Sequence, residues 1–178
     1  RPAPPPPPLG GGAGAGTLTR LATEGGARGI EPEPCWKRLQ AKHDQIQATE
    51  TRCGSEATDD AELVVVAFGS MARFARHAVR RLRAEGARVG LVRPITLWPF
   101  PEEEVARACD GAKRVAVLEQ NGGQMRDDVR LAVLGRAPVV SIGGISSDAA
   151  GFGIGPIFDP ETTHERIRHA LEGREVTA

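Results

Sequence analysis

Five residues of this chain, Ser70, Arg93, Glu119, Gln120 and Asn121, are the ones whose types and positions could do chemistry, because each falls at the end of an apolar run of strand length or just past it. A hydroxyl, a guanidinium, a carboxylate and two amides can recognise a small anion or nucleotide, and in open α/β sheets ligands gather outside the carboxyl ends of the strands. Thr96 and the pair Gly143-Gly144 stand at equivalent places. Free N–H groups at the starts of the helices expected after Ser70 and Gly123 could hold an anion. Each residue also has an ordinary structural job: Ser70 as a helix N-cap, Arg93 paired with Glu119 across adjacent strand ends, the glycines as turns. Both readings are open at this stage.

Other chemistries find less support. His43 sits in a polar stretch and His77 among arginines, while His164 and His169 are five residues apart and do not share a helix face; all four read as surface histidines rather than metal ligands. No G-x-S-x-G elbow and no Walker loop is present, and GGGAGAG follows no strand and fails the G-x-G-x-x-G spacing. Cys35, Cys53 and Cys109 form no C-x-x-C pair, and an odd number cannot all pair within the chain, which points to a reducing, cytoplasmic compartment. The 23 basic and 23 acidic residues cancel, so no global field points to nucleic acid or to an anionic membrane, and no apolar run reaches spanning length. The chain begins at Arg1 rather than Met with no signal-like apolar segment, from which an upstream portion is expected.

The elements that must position the five residues follow from the pattern. Residues 1–16 are nearly all Pro, Gly and Ala and read as a linker, with Pro2 to Pro5 as a weak PxxP ligand alternative. Residues 17–60 form a connecting segment with a short strand at Thr17 to Leu21 and a polar helix at Trp36 to Ile46. From Ala61 the alternation is regular. Leu63 to Phe68 (LVVVAF) is a continuous apolar run, as expected of a strand covered on both faces. The next helix places Phe74, Ala78, Val79 and Leu82 inward and Arg73, Arg76, Arg80 and Arg83 mostly outward, with Gly86 as its stop. Those arginines suit either a solvated face or an acidic or phosphate-bearing partner. Strands at Arg88 to Arg93, Arg114 to Glu119 and Val139 to Ile142 alternate with helices at Pro101 to Cys109 and Gln124 to Leu134, and a last helix runs from about Pro160 to Leu171. The outcome is one three-layer α/β/α domain with a mainly parallel sheet over residues 61–172, followed by a tail at 173–178.

The segment VGLVRPITLWPFP, Val89 to Pro101, is a strand run into a proline-held turn. Pro94 and Pro99 lack the N–H for regular pairing, and Pro101 with Glu102, Glu103 and Glu104 opens a helix. A Trp and two prolines at a strand end suit a surface that meets another one, which makes Arg93, Trp98, Pro99 and Phe100 candidate interface residues. The alternative is that Trp98 covers the domain's own core.

The blocks ADDAELVVVAFGS, VGLVRPITLWPFPEEEV and VAVLEQNGGQMRDDVRLAVLGRAPV together resemble the C-terminal, transketolase-C-like domain of the alpha subunit of 2-oxoacid:ferredoxin oxidoreductases. RP-x-T-LWPFP and E-x-N-x-GQM form a specific pair at this spacing, and the resemblance covers Ala61 to about Gly144. The stretch SSDAAGFGIGPIFDP is longer than the turn expected before the last helix, which leaves the docking of that helix to be established. The resemblance implies oxidative decarboxylation of pyruvate, 2-oxoglutarate or a branched-chain 2-oxoacid to an acyl-CoA, with thiamine diphosphate as electron sink and ferredoxin as acceptor. It implies a beta subunit, and in some assemblies gamma and delta subunits, as partners. It also places thiamine diphosphate, Mg, the iron–sulfur cluster and coenzyme A on other domains or subunits, so that no catalytic, cofactor-binding or metal-binding residue falls in this chain, whose implied share is packing. Two alternatives stay open: the same domain in another thiamine-dependent enzyme of the 2-oxoacid dehydrogenase or transketolase type, or a free-standing small-anion-binding α/β module.

Overall fold

The computed structural model describes residues 32–144 and 159–174; the expected strand at Thr17 to Leu21, the PxxP segment and the glycine-rich run lie outside them. The chain divides into two units, 1–49 and 50–178. The first contains nearly all of helix α1 (Pro32–Glu50), which takes in the expected Trp36 to Ile46 helix. It is polar around its circumference, carries a Glu33–Lys37 pair one turn apart at 2.6 Å, and leaves Trp36 exposed.

The second unit is a five-stranded sheet flanked by helices, in chain order β1 (Cys53–Glu56), β2 (Leu63–Ala67), α2 (Gly69–Ala84), β3 (Val89–Pro94), α3 (Glu102–Ala108), β4 (Arg114–Leu118), α4 (Gln124–Val133), β5 (Val139–Ser141) and α5 (Pro160–Glu172). The strands lie side by side as β1-β3-β2-β4-β5; β1 runs antiparallel to β3 and the other neighbours are parallel. The expected parallel α/β/α architecture is observed, with one addition. β1, CGSE, lies in the stretch read from sequence as connecting segment, and it has no apolar alternation to announce it. It forms because β3 offers an edge, pairing Cys53 through Glu56 with Pro94 back to Leu91. β3 therefore runs to Pro94 instead of ending at Arg93: the proline occupies the last position, where its missing N–H closes the ladder rather than interrupting it.

Strand parity sorts the core into two clusters. Leu63, Val65, Ala67, Leu91, Ala116 and Leu118 face α2 and α5, while Val64, Val66, Val92, Val115 and Val117 face α3 and α4. On the first side Met71, Ala75, Val79 and Leu82 of α2 meet Ile167 and Ala170 of α5 over the strands. The docking of α5 is thus settled: Arg114 donates to the Ala170 carbonyl at 2.6 Å and Arg166 to that of Ile142 at 3.2 Å. Asp159 caps α5 by accepting from Thr162 N–H at 2.7 Å, with Pro160 in the first turn.

Most of the α2 arginines are committed within the chain. Arg76 and Arg80 share the Glu56 carboxylate at 3.0 and 2.7 Å, tying β1 to α2, and Arg83 holds Asp60 and the Ala57 carbonyl in the β1–β2 turn. Arg81 reaches across to Glu161 of α5 at 2.7 Å. The hydrogen bond from Arg80 holds the Glu56 carboxyl below its ordinary value of 4.5, and Arg83 and Arg81 do the same for Asp60 and Glu161. A carboxyl depressed on folding stabilises the fold above its unfolded value and loses that contribution as pH falls through the folded one. Thermal melts between neutral pH and about pH 3 should therefore show wild type losing stability more steeply than Glu56→Gln. Equal slopes would remove Glu56 from the account.

The thiols behave as core groups. Burial pushes Cys53 up to about 11 and Cys109 up to about 12, the first raised further by Glu104 and the second by Cys53. Thiolate is the reactive form. A thiol reagent at neutral pH should label both cysteines at least about tenfold faster in denaturant than in the folded chain, and equal rates would show the pocket around them to be open.

Candidate functional site

β2 and β4 are neighbours, and the helices that follow them leave on opposite faces, α2 to one side and α4 to the other. This is the topological switch point of the sheet, the place where open α/β folds form a crevice. The register sets Ala67 opposite Leu118, so Phe68 to Ser70 and Glu119 to Asn121 emerge side by side. Four of the five candidate residues, Ser70, Glu119, Gln120 and Asn121, are thereby brought to one end of two adjacent strands.

Arg93 is not with them. It belongs to β3, on the far side of β2, opposite Gly54 of β1. Parity separates it further, since Leu91 of β3 faces the α2 side, and so does Arg93 two residues on, while Glu119 turns toward α4. The pairing of Arg93 with Glu119 expected from sequence does not occur. Ser70 is not an N-cap either: Gly69, at φ +55°, turns the chain into helix directly after the strand, so Phe68 holds the cap position and Ser70 lies exposed in the first turn.

Glu119 is fully buried, and its two oxygens accept the Met125 and Arg126 N–H groups, each at 3.0 Å. Asn121 Oδ1 accepts from Gly123 and Gln124 N–H at 2.8 and 3.4 Å. An α-helix leaves its first four N–H groups without intrahelical acceptors. Here two side chains from the E-x-N-x-GQM stretch take up four successive N–H groups at the start of α4. The helix start that the sequence offered to an external anion is filled by the protein's own carboxylate. Glu119→Ala would strand one buried and one part-buried donor and should cost about 2–3 kcal/mol in denaturant unfolding of the full chain, and Glu119→Gln, which keeps one acceptor oxygen, less. A neutral Glu119→Ala would contradict the capping role.

The other candidate surface is the β3–α3 loop. Its entry is clamped by Arg52: the Arg52 carbonyl accepts from Ile95 and Thr96 N–H at 3.0 and 3.3 Å, and Arg52 N–H donates to Thr96 Oγ1 at 2.9 Å. Beyond the clamp Pro99 is buried and Phe100 packs against the α3–α4 core, whereas Trp98 is 64% exposed. Trp98 therefore does not cover the domain's own core. Ile95 and Leu97, at 51% and 44%, join it in an outward apolar patch that the sequence reading did not single out, because a turn between prolines has no periodicity to sort inward from outward.

The histidine reading needs one correction. His164 is buried, 3% exposed, because α5 packs on α2 through Thr163, His164, Ile167 and Ala170 and so carries the imidazole inward. Its Nε2 stands 3.3 Å from a Glu85 oxygen without hydrogen-bond geometry. Among the described residues no three His, Cys, Asp or Glu side chains converge on a point that could hold a metal, and no helix is long and apolar enough to cross a membrane. With the α4 start occupied as well, the described residues do not fit a magnesium–diphosphate group.

Comparison with known proteins gives this geometry a family. Residues 61–150 match the profile of the pyruvate:ferredoxin oxidoreductase core domain II. The chain is 48% identical over 94 residues to the ketoisovalerate oxidoreductase subunit VorB of Methanothermobacter thermautotrophicus, covering 53% of this chain and 27% of that one. It is 39% identical over 82 residues to the 2-oxoglutarate synthase subunit KorA of Methanothermobacter marburgensis, covering 46% and 22%. The match thus spans about a quarter of the length of these relatives. In fold it resembles a 2-oxoglutarate:ferredoxin oxidoreductase from Magnetococcus marinus (TM-score 0.53, 21% identity, 72% of this chain and 21% of that one) and a split-gene transketolase (TM-score 0.52, 21% identity, 70% and 42%). On the match over residues 61–150, carried by strands β2 to β5 and the helices between them, the chain belongs to the pyruvate:ferredoxin oxidoreductase core domain II family.

Proposed function

We propose that this chain is the C-terminal part of the alpha subunit of a 2-oxoacid:ferredoxin oxidoreductase, and that its share of the enzyme is to pack against neighbouring domains and subunits. The reaction of the assembly is oxidative decarboxylation, in which a 2-oxoacid and coenzyme A give an acyl-CoA and carbon dioxide and two electrons pass to ferredoxin. Thiamine diphosphate, held with Mg elsewhere in the assembly, supplies the carbon-centred electron sink. The iron–sulfur cluster, the coenzyme A contacts and the beta subunit, with gamma and delta subunits in larger assemblies, belong to the same reading, as does a cytoplasmic location.

The observation that carries the packing role is the pairing of the family match with the exposed patch Ile95, Leu97 and Trp98, which is anchored from behind by Pro99, Phe100 and the Arg52 clamp. Large apolar side chains held outward on a fixed loop suit an interface, where buried Trp residues carry much of the binding energy. The strand-end crevice supports the same division of labour, since Glu119 and Asn121 are spent on capping α4. The relatives' names include ketoisovalerate, 2-oxoglutarate and pyruvate, which supports a 2-oxoacid as the substrate class. The test is to read the DNA flanking the Arg1 codon in frame. An in-frame upstream α/β domain beside a partner gene with a diphosphate–magnesium motif supports the reading, and a start codon at Arg1 with no such partner overturns it in favour of a free-standing module.

A further inference from the structure

We infer that Arg93 of β3 and Arg73 of α2 form a binding site for a phosphate-bearing anion on the α2 face of the sheet, a role that the packing function does not require. The starting observation is a half-buried charge without acceptors. Six described arginines are half-buried, and Arg76, Arg83, Arg114, Arg126 and Arg166 each donate to a carboxylate or a carbonyl of the chain. Arg93 alone of the six has no hydrogen bond or ion pair among the described residues. Exposed arginines are served by water, whereas a guanidinium drawn partly out of water with its fork of donors unplaced favours an incoming acceptor.

The strand pairing puts open space beside it. Gly54 of β1 stands directly opposite Arg93, and opposite residues of an antiparallel pair share a face. A Cβ at Gly54 would meet nothing within 4 Å, so the face is open at this point. It is the face that α2 covers, because Glu56, two residues along β1 from Gly54, is held there by Arg76 and Arg80.

The arginines of α2 show what the open space lacks. Arg73, Arg76, Arg80 and Arg83 recur at intervals of three, four and three, which makes one stripe along the helix. Followed toward the carboxyl end of β3, the stripe meets acids in turn: Arg83 has Asp60, and Arg80 and Arg76 have Glu56. The next position of β1 on this face is Gly54, about 7 Å beyond Glu56, and the next arginine is Arg73, about 4.5 Å beyond Arg76. At that level β1 offers no acid, and β3 adds a second cation in Arg93. Ser70 lies exposed in the adjoining first turn of α2, which has no acidic residue and no side-chain cap. Two guanidiniums beside such a helix start suit a dianion better than a single carboxylate, and phosphate is the dianion that arginine forks match.

The experiment is calorimetric titration of the full chain with inorganic phosphate, pyrophosphate and acetate, each in chloride buffer at one ionic strength so that screening is constant. Saturable binding of phosphate or pyrophosphate is expected, at least about tenfold tighter than acetate. Whichever of the two binds more tightly separates a free phosphate from a diphosphate-bearing ligand, and either supports the site. Arg93→Gln should weaken binding about tenfold or more, and Arg73→Gln by less. Gly54→Glu, for which there is room, sets the chain's own carboxylate between the two arginines and should abolish binding while melting no lower than wild type. Arg93→Gln secures the test if the glutamate variant folds poorly. Absence of saturable binding in wild type, or affinity unchanged in Arg93→Gln and Gly54→Glu, overturns the site; acetate binding as tightly as phosphate overturns the ligand class.

Discussion

Trp98→Ala is expected to weaken association with the partner subunits by about 30-fold or more, the effect of losing one central aromatic anchor, while moving the melting temperature of the isolated chain by no more than about 2 °C. The asymmetry follows from exposure. At 64% exposed, the indole makes little of the core, so its removal costs the folded chain little, whereas a partner that covers it loses both the buried area and the pocket fit. The neighbouring Phe100 should behave in the opposite sense: it packs against the α3–α4 core, and Phe100→Ala should lower the melting temperature first. Binding and thermal melts on the two variants side by side check this, and a Trp98→Ala chain that melts early but assembles normally would assign the indole to the fold.

The second large effect is expected at Gly143. A Cβ built there would lie 1.8 Å from the Glu119 carbonyl oxygen, with the Glu119 backbone N and C both at 2.8 Å. The obstacle is backbone on the neighbouring strand end, and the adjacent Gly144 N–H donates to that same carbonyl at 2.9 Å, so neither side can move without breaking the other. Gly143→Ala should cost about 3 kcal/mol and lower the melting temperature by about 10 °C. Because Glu119 is the residue that caps α4, the loss should appear earliest in hydrogen exchange of the Met125 and Arg126 amides. A variant that melts like wild type would mean that the β5 end sits further from β4 than described.

Legibility from sequence varied with the physical source of each feature. The run Leu63 to Phe68, the inward stripe of Phe74, Ala78, Val79 and Leu82 and the stop at Gly86 are local patterns, and each recurs in the structure within a residue or so. β1 was not legible, because CGSE becomes a strand only by pairing with β3 and by the hold of Arg76 and Arg80 on Glu56. The strand-end residues were legible as a set, since the switch-point argument needs only strand order. Their partners were not: whether Glu119 faces Arg93 or the start of α4 depends on β2 intervening and on which face position 119 occupies. His164 went inward for a similar reason, the helix face being chosen by the α2 surface it meets. At the β3–α3 loop, sequence marked the segment but not the sorting of Trp98 outward and Phe100 inward, which the Arg52 clamp and the core behind it decide.

The most direct measurement is 2-oxoacid-dependent and coenzyme A-dependent ferredoxin reduction by the purified assembly that contains this chain, assayed with ketoisovalerate, 2-oxoglutarate and pyruvate. The account predicts turnover with at least one of the three, and its loss in an assembly carrying Trp98→Ala once diluted below the weakened dissociation constant. An intact, thiamine-loaded assembly that reduces ferredoxin with none of them, or a chain that purifies without partner subunits, would contradict it.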